Sequence, residues 1–181
     1  KEFQPAFQME CQAIKRCREI FGLKNISTMI PFCRTPEEGK KVLEAMKENG
    51  LSDINMQVFV MCEIPSNILL ADKFLEIFDG MSIGSNDLTQ LVLGLDRDSG
   101  IVTSIANENN PAVKKMISEI IKKCRAKKKY LGFCGQAPSD YPDFAEFLVK
   151  EGIESISLNP DTVIKTIKRI YKVSSAPRQL R

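Results

Sequence analysis

Residues 56–95, MQVFVMCEIPSNILLADKFLEIFDGMSIGSNDLTQLVLGL, alternate short apolar runs with longer segments of helical periodicity. The apolar runs predict strands at 56–62 and 81–84, and the periodic segments predict helices at 66–78 and 87–95. Both strands are continuously apolar rather than alternating, which is typical of a parallel sheet that is buried on both faces. The stretch therefore predicts two consecutive strand–helix units of an α/β fold.

The same alternation continues on both sides of this stretch. We predict further strands at 25–32, 130–134 and 153–158, and further helices at 7–21, 35–50, 110–127, 140–150 and 160–171. The clearest helix start is Thr35-Pro36-Glu37-Glu38, with an N-cap, a proline in the first turn and a glutamate three residues after the cap. Five strands, each followed by a helix, are expected to form one domain over residues 1–172, with a disordered tail at 173–181.

The composition excludes several classes of function. The chain has 181 residues and no histidine, which excludes Ser-His-Asp and Cys-His nucleophiles and a phosphohistidine within it. Its 26 basic and 23 acidic residues give a net charge of +3, too small to indicate a nucleic-acid partner. We expect no membrane segment, because no long apolar run is present. Six cysteines without a C-x-x-C pair, and no signal peptide, favour the reducing cytoplasm.

Polar residues follow the predicted strands, at the edge where parallel α/β sheets bind their ligands. Glu63 directly follows the second strand, and Asp87 lies in the equivalent place after the third. Two carboxylates on adjacent strand ends suit Mg²⁺ or Mn²⁺, since these ions prefer oxygen ligands and leave room for water and substrate. An equally open alternative is that Asp87 caps the following helix while Glu63 pairs with Arg34 or a lysine.

Cys134 ends the fourth predicted strand and is followed by Gly135 and Gln136. A thiol at this edge of the sheet can donate a proton or act as a nucleophile. The alternative is a small buried hydrophobe. That alternative is our expectation for the other five cysteines, which are Cys11, Cys17, Cys33, Cys62 and Cys124.

Five motifs taken together resemble a known family. They are MIPFCRT (29–35), MCEIPSNILLADKF (61–74), DGMSIGSNDLTQLVLGLDRDSG (79–100), GFCGQAPSD (132–140) and EGIESISLNPD (151–161). They resemble the carboxyl-terminal domain that binds phosphoenolpyruvate (PEP) and pyruvate in PEP-utilising enzymes, over about residues 5–170. Within that family, EIPSN and QAPSD resemble the PEP synthases (pyruvate, water dikinases) more than pyruvate phosphate dikinase or enzyme I of the sugar phosphotransferase system.

The resemblance implies a fold and a set of site residues. The fold is a (β/α)₈ TIM barrel, of which this chain would supply the last five units. Glu63 and Asp87 match the family's Mg²⁺ ligands, and Gly84, Ser85 and Asn86 match its substrate-contacting loop. Cys134 matches the cysteine that exchanges a proton with the substrate's methylene carbon. The implied reaction is a phosphotransfer that interconverts pyruvate and PEP through an enolate.

The resemblance also implies partners and shows departures. The family's first three barrel units, ATP-binding domain and phosphohistidine domain would lie outside these 181 residues, so the isolated chain is expected to be inactive. A homodimer is implied as well. The family's D-E-R-N loop is replaced by NENN at 107–110, and Tyr141 replaces a histidine that is usual in synthases. A third interpretation is a non-catalytic module for dimerisation or binding.

Overall fold

The computed structural model describes residues 3–51, 55–96, 99–102 and 105–174. The strands are β1 (Thr28–Ile30), β2 (Val58–Cys62), β3 (Gly80–Ile83), β4 (Tyr130–Phe133) and β5 (Ser155–Ile156). The helices are α1 (Gln4–Glu19), α2 (Pro36–Met46), α3 (Pro65–Leu69), α4 (Ala71–Ile77), α5 (Ser85–Leu93), α6 (Pro111–Ala126), α7 (Ala137–Asp140), α8 (Pro142–Glu151) and α9 (Val163–Ser174). A π-helical turn at Lys47–Leu51 continues α2. The predicted α/β class is confirmed.

The five strands form one parallel sheet in which chain order equals spatial order, β1-β2-β3-β4-β5. Helices lie between consecutive strands, as parallel pairing requires a crossover connection. Successive units of a (β/α)₈ barrel have this connectivity, in which each strand pairs with the next strand in the chain. The sheet is therefore consistent with part of such a barrel.

The core lies between one face of the sheet and the helices. Val60, Met81 and Leu131 are in register on that face and are buried in the main hydrophobic cluster. Phe59 and Tyr130 lie on the other face and are only half-buried. The expectation of a sheet buried on both faces is met only in part within the described residues, because Ser82 is buried on the second face while Phe59 and Tyr130 are half-buried. Phe59 and Tyr130 pack against each other there, with 5.2 Å between their ring centroids.

Several helix boundaries differ from the predicted ones. The helix predicted at 66–78 is divided at Leu70, whose φ of −103° and ψ of 23° are not helical. The helix predicted from Asp87 begins at Ser85, with Gly84 as its N-cap, so Asp87 lies in the first turn. Helix α9 extends to Ser174, and residues 175–181 of the predicted tail lie outside the described residues.

The predicted start of α2 is confirmed. Thr35 Oγ1 accepts a hydrogen bond from the Glu38 backbone N–H at 3.1 Å. Among the helices of the described residues, none is long and apolar enough to cross a membrane.

Candidate active site

Four residues extend the sheet by one row beyond its carboxyl edge. The last paired residues of β2 to β5 are in register, and Glu63, Gly84, Cys134 and Ser157 come directly after them. Backbone hydrogen bonds continue the ladder into this row, from Gly84 N–H to Cys62 and from Cys134 N–H to Ile83. Neighbouring strands lie about 4.8 Å apart, so the backbones of Glu63 and Cys134 are separated by roughly 10 Å with Gly84 between them.

The Glu63 side chain is only 5% exposed, and both of its carboxylate oxygens have defined neighbours. Its Oε1 accepts a hydrogen bond from the Phe32 backbone N–H at 2.6 Å. Its Oε2 faces Gly84, where an added Cβ would lie 2.6 Å from that oxygen. The glycine therefore leaves the space that the second carboxylate oxygen needs. Phe32 has a φ of 47°, a conformation that is uncommon for residues other than glycine.

Asp87 lies in the first turn of α5, and its charge acts on Glu63. Burial raises the pKa of the Glu63 carboxyl, the Phe32 N–H lowers it, and the negative charge of Asp87 raises it further. The alternative for these carboxylates is not found among the described residues. Helix α5 has no side-chain cap. Arg34 pairs with Glu38 at 3.7 Å, and no described arginine or lysine forms an ion pair with Glu63.

These two carboxylates fit a hard divalent cation. Magnesium is usually held by one or two carboxylates, with water and substrate oxygens completing its coordination. Glu63 Oε2 faces the space at Gly84, and repulsion between the carboxylates would be relieved by a cation. In the described part of the chain no group of three or more His, Cys, Asp or Glu side chains is gathered to hold a metal. A cation here would thus keep open positions for a ligand.

The predicted substrate loop forms the start of α5. Ser85 is fully buried and its hydroxyl donates a hydrogen bond to Glu108 Oε1. Asn86 is exposed and faces a cleft of about 180 Å³. Cys134 lies at the same cleft, which is otherwise lined by Gly135, Gln136, Ser139, Ser157, Leu158 and Asn159. The start of α5 thus carries both Asp87, which belongs to the carboxylate pair, and Asn86, which lines the same cleft as Cys134.

Cys134 is exposed, so it is not the small buried hydrophobe of the alternative interpretation. Its Sγ lies 3.5 Å from the Ile83 carbonyl oxygen and 3.9 Å from Met61 Sδ. The expected burial is found for Cys11, Cys33, Cys62 and Cys124, while Cys17 is half-buried. Cys134 is therefore the cysteine whose thiol a ligand at this edge can reach.

Two residues that support the site were missed by the sequence interpretation. Asn67 is fully buried, and its Oδ1 accepts from the Glu63 and Ile64 backbone N–H groups at 3.2 and 2.9 Å. Its Nδ2 donates to the Cys33 carbonyl at 2.8 Å. An asparagine in the first turn of a helix that directly follows a strand end was the available signal. Glu108 matches the glutamate of the family's D-E-R-N loop, but no local pattern indicated its partner Ser85, which lies 23 residues away in sequence.

Comparison with known protein families finds a match. The family model for the PEP-binding domain of PEP-utilising enzymes matches residues 1–175.

Among curated proteins, the chain is 56% identical to a phosphoenolpyruvate synthase of Synechocystis sp. over 176 residues, which cover 96% of this chain and 22% of the relative. It is 57% identical to a phosphoenolpyruvate synthase of Aquifex aeolicus over 173 residues, covering 94% of this chain and 20% of the relative. It is 53% identical to a phosphoenolpyruvate synthase of Escherichia coli over 166 residues, covering 91% and 21%. The chain thus spans about a fifth of the length of these relatives.

Proposed function

Because the chain belongs to the family of PEP-utilising enzymes, through their PEP-binding domain, we propose that it forms the pyruvate- and PEP-binding part of a phosphoenolpyruvate synthase. The complete enzyme would convert ATP, pyruvate and water into PEP, AMP and phosphate. This activity would require ATP-binding and phosphohistidine domains beyond these 181 residues, since the chain contains no histidine to carry a phosphoryl group. We further propose that the complete enzyme is a cytoplasmic homodimer.

One observation carries this proposal: a carboxylate pair and an exposed thiol lie at the same edge of the sheet, on neighbouring strand ends. Glu63 and Asp87 approach each other closely enough to interact electrostatically. Cys134 follows β4, the strand next to β3, and its thiol is exposed. A three-carbon acid bound between them would meet oxygen-coordinating groups at one end and a proton donor at the other.

Glu63 and Asp87 are the residues that would hold Mg²⁺, or Mn²⁺ in its place. When bound, the cation supplies positive charge that stabilises the enolate oxygen and orients the substrate carboxylate. The start of α5 adds backbone N–H groups at Ser85 and Asn86, which suit an anionic carboxylate because the amino-terminal end of a helix carries partial positive charge. Gly84 leaves the space that Glu63 Oε2 occupies, so the carboxylate can lie beside the start of α5.

Cys134 would exchange a proton with the substrate carbon. In the direction of PEP synthesis, its thiolate takes a proton from the methyl group of pyruvate and becomes a thiol, and the C–H electron pair forms the enolate. The enolate oxygen then accepts the phosphoryl group from the carrier domain. In the reverse direction, the thiol returns its proton to the methylene carbon and becomes a thiolate again.

The proposal is tested in a chimera in which this chain replaces the matching segment of the Synechocystis phosphoenolpyruvate synthase. Solvent deuterium incorporation into the methyl group of pyruvate reports proton exchange. Calorimetry with Mg²⁺ and oxalate, a mimic of the enolate, reports binding. We expect Glu63→Gln and Asp87→Asn to abolish both, and Cys134→Ala to abolish exchange while oxalate still binds.

Two results would contradict the proposal. One is a folded wild-type chimera that neither exchanges protons nor binds oxalate, which would favour the non-catalytic module. The other is unchanged exchange in Cys134→Ala together with unchanged oxalate binding in Glu63→Gln.

A further inference from the structure

Glu108 is a buried carboxylate that the proposed chemistry does not use. It is 9% exposed, although it lies in the loop before α6. The helix itself is capped by Asn110, whose side chain accepts from the Ala112 N–H at 2.9 Å, so Glu108 is not needed as a cap. Burial of a carboxylate is unfavourable unless its oxygens receive hydrogen bonds.

Glu108 interacts with two different loops of the site. The Ser85 hydroxyl donates a hydrogen bond to Oε1, and the Ala137 backbone N–H acts on the same carboxylate and lowers its pKa. Ser85 is two residues from Asp87 on the carboxylate side, and Ala137 is three residues from Cys134 on the thiol side. Glu108 therefore connects the two halves of the candidate site.

The two loops also touch directly at this point. A Cβ added at Gly135 would overlap the Ser85 hydroxyl and would lie 2.9 Å from the Ser85 Cβ. Only a residue without a side chain fits there, so the two loops lie in direct contact. The Ser85 hydroxyl at this contact is the group that donates a hydrogen bond to Glu108.

No ion pair compensates the charge of Glu108 among the described residues. Burial raises the pKa of the carboxyl, the Ser85 hydroxyl lowers it, Asp140 raises it, and the Ala137 N–H lowers it again. A group kept in so unfavourable an environment, next to a cleft, is a candidate for a functional role.

We infer that Glu108 is a positioning residue that sets the distance between the Glu63–Asp87 carboxylate pair and the Cys134 thiol by holding Ser85 against the loop that contains Gly135 and Ala137. The inference rests on the proposed function. Proton transfer needs the thiol and the substrate carbon in a near-attack arrangement, and a displacement of about 1 Å can cost about 100-fold in rate. Loss of Glu108 would therefore slow proton exchange more than it weakens metal and ligand binding.

The experiment uses the same chimera, with Glu108→Ala, Glu108→Gln, Ser85→Ala and the double variant Ser85→Ala/Glu108→Ala. Glu119→Ala is the matched control, because Glu119 is an exposed carboxylate whose ion pair with Lys123 lies within α6. Glu108→Ala is expected to lower deuterium incorporation by about 100-fold, with oxalate affinity changed by less than about threefold. Glu108→Gln keeps one acceptor and the shape of the side chain, and is expected to recover most of the rate.

A double-mutant cycle separates positioning from general destabilisation. If Glu108 acts through Ser85, the double variant loses little more than Glu108→Ala alone, whereas independent effects would multiply. Exchange in Glu108→Ala within about twofold of wild type, or multiplicative losses in the cycle, would overturn the inference. If Glu108→Ala yields no folded protein, unchanged exchange in Ser85→Ala overturns it. Absence of exchange in the wild-type chimera would instead contradict the proposed function.

Discussion

At the scale of single residues, the candidate site depends on buried polar groups that bind backbone atoms. Asn67 connects the loop after β1 with the end of β2 through hydrogen bonds to Cys33, Glu63 and Ile64. Because one buried amide satisfies three backbone groups, its loss leaves all three without a protein partner. Phe32 then binds the Glu63 carboxylate from the same loop. The orientation of Glu63 is thus fixed from both ends.

We predict that Asn67→Ala lowers the free energy of unfolding by about 3 kcal/mol, the order expected when buried hydrogen-bonding groups lose their partners. Urea denaturation followed by circular dichroism measures the change. Asn49→Ala is the control, since Asn49 is half-buried and donates to the Ala45 carbonyl at 2.8 Å. It should lose about 1 kcal/mol. A loss in Asn67→Ala no larger than in the control would contradict this role.

Gly84 offers a second test at the residue scale. Its φ of −93° is open to any residue, so an alanine there adds no backbone strain. The new Cβ would lie 2.6 Å from Glu63 Oε2 and 2.8 Å from Met61 Cε, and the carboxylate must move. We predict that Gly84→Ala weakens Mg²⁺-dependent oxalate binding by about tenfold or more, which corresponds to about 1.4 kcal/mol. Calorimetry on the chimera measures it.

The control for Gly84→Ala is Gly100→Ala. Apart from its chain neighbours, no heavy atom of the described residues lies within 4 Å of a Cβ built at Gly100, so binding should stay at the wild-type value. Equal effects of the two substitutions would show that contact with Glu63 is not the cause.

At the scale of elements, α8 and α9 pack together through an ionic contact as well as through apolar residues. Arg169 of α9 donates hydrogen bonds to Glu146 and Asp143 of α8. The Arg169 guanidinium lowers the pKa of the Glu146 carboxyl, first through the hydrogen bond and then through its charge. These side chains are near the surface, so the contribution to stability is modest.

The lowered pKa of Glu146 predicts a pH dependence. A carboxyl whose pKa is lower in the folded state stabilises the fold above its ordinary pKa, and that contribution is lost as the pH falls through the lowered value. We therefore expect Glu146→Gln to have a lower unfolding temperature than wild type at neutral pH, and the difference to vanish in acid. Thermal unfolding at a series of pH values, followed by circular dichroism, measures it.

Glu119→Gln is the control for Glu146→Gln, because it removes an ion pair within a single helix rather than between two helices. It should lower the unfolding temperature less. A difference between Glu146→Gln and wild type that grows as the pH falls would have the wrong sign and would contradict the assignment.

At the scale of the whole molecule, the sheet is most stable at its centre. β3 is buried along its whole length and pairs with strands on both sides, whereas β1 and β5 pair on one side only within the described residues. The partly exposed second face, with Phe59 and Tyr130, is where the interior of a barrel would lie.

We predict that hydrogen–deuterium exchange is slowest for the amides of Met81, Ser82 and Ile83, because they open only when the sheet as a whole opens. The amides of Ser155 and Ile156 in β5 should exchange faster, since this strand has two residues and one partner. Mass spectrometry after timed labelling of the full chain measures both. Equal protection of β3 and β5 would contradict this view of the sheet.

Much of the architecture was predictable because it depends on local patterns. Short runs rich in apolar and β-branched residues marked the strands, and the helix start at Thr35 was identified from four consecutive residues. The division of the helix predicted at 66–78 was not predictable, since the apolar periodicity continues across Leu70. The partial exposure of one sheet face was missed for a similar reason, because Phe59 resembles a core residue in sequence.

The sequence by itself determined the order of strands and helices along the chain, and it placed Glu63, Asp87 and Cys134 just beyond the ends of three successive strands. Parallel strands bring their carboxyl ends to one edge, so residues far apart in the chain become neighbours without further information. Only the tertiary structure decided how these groups are held. The Phe32 N–H on Glu63, the Asn67 amide between two loops and the buried Glu108 against Ser85 all join segments from different units. Such contacts depend on how the units pack together, which no local pattern encodes.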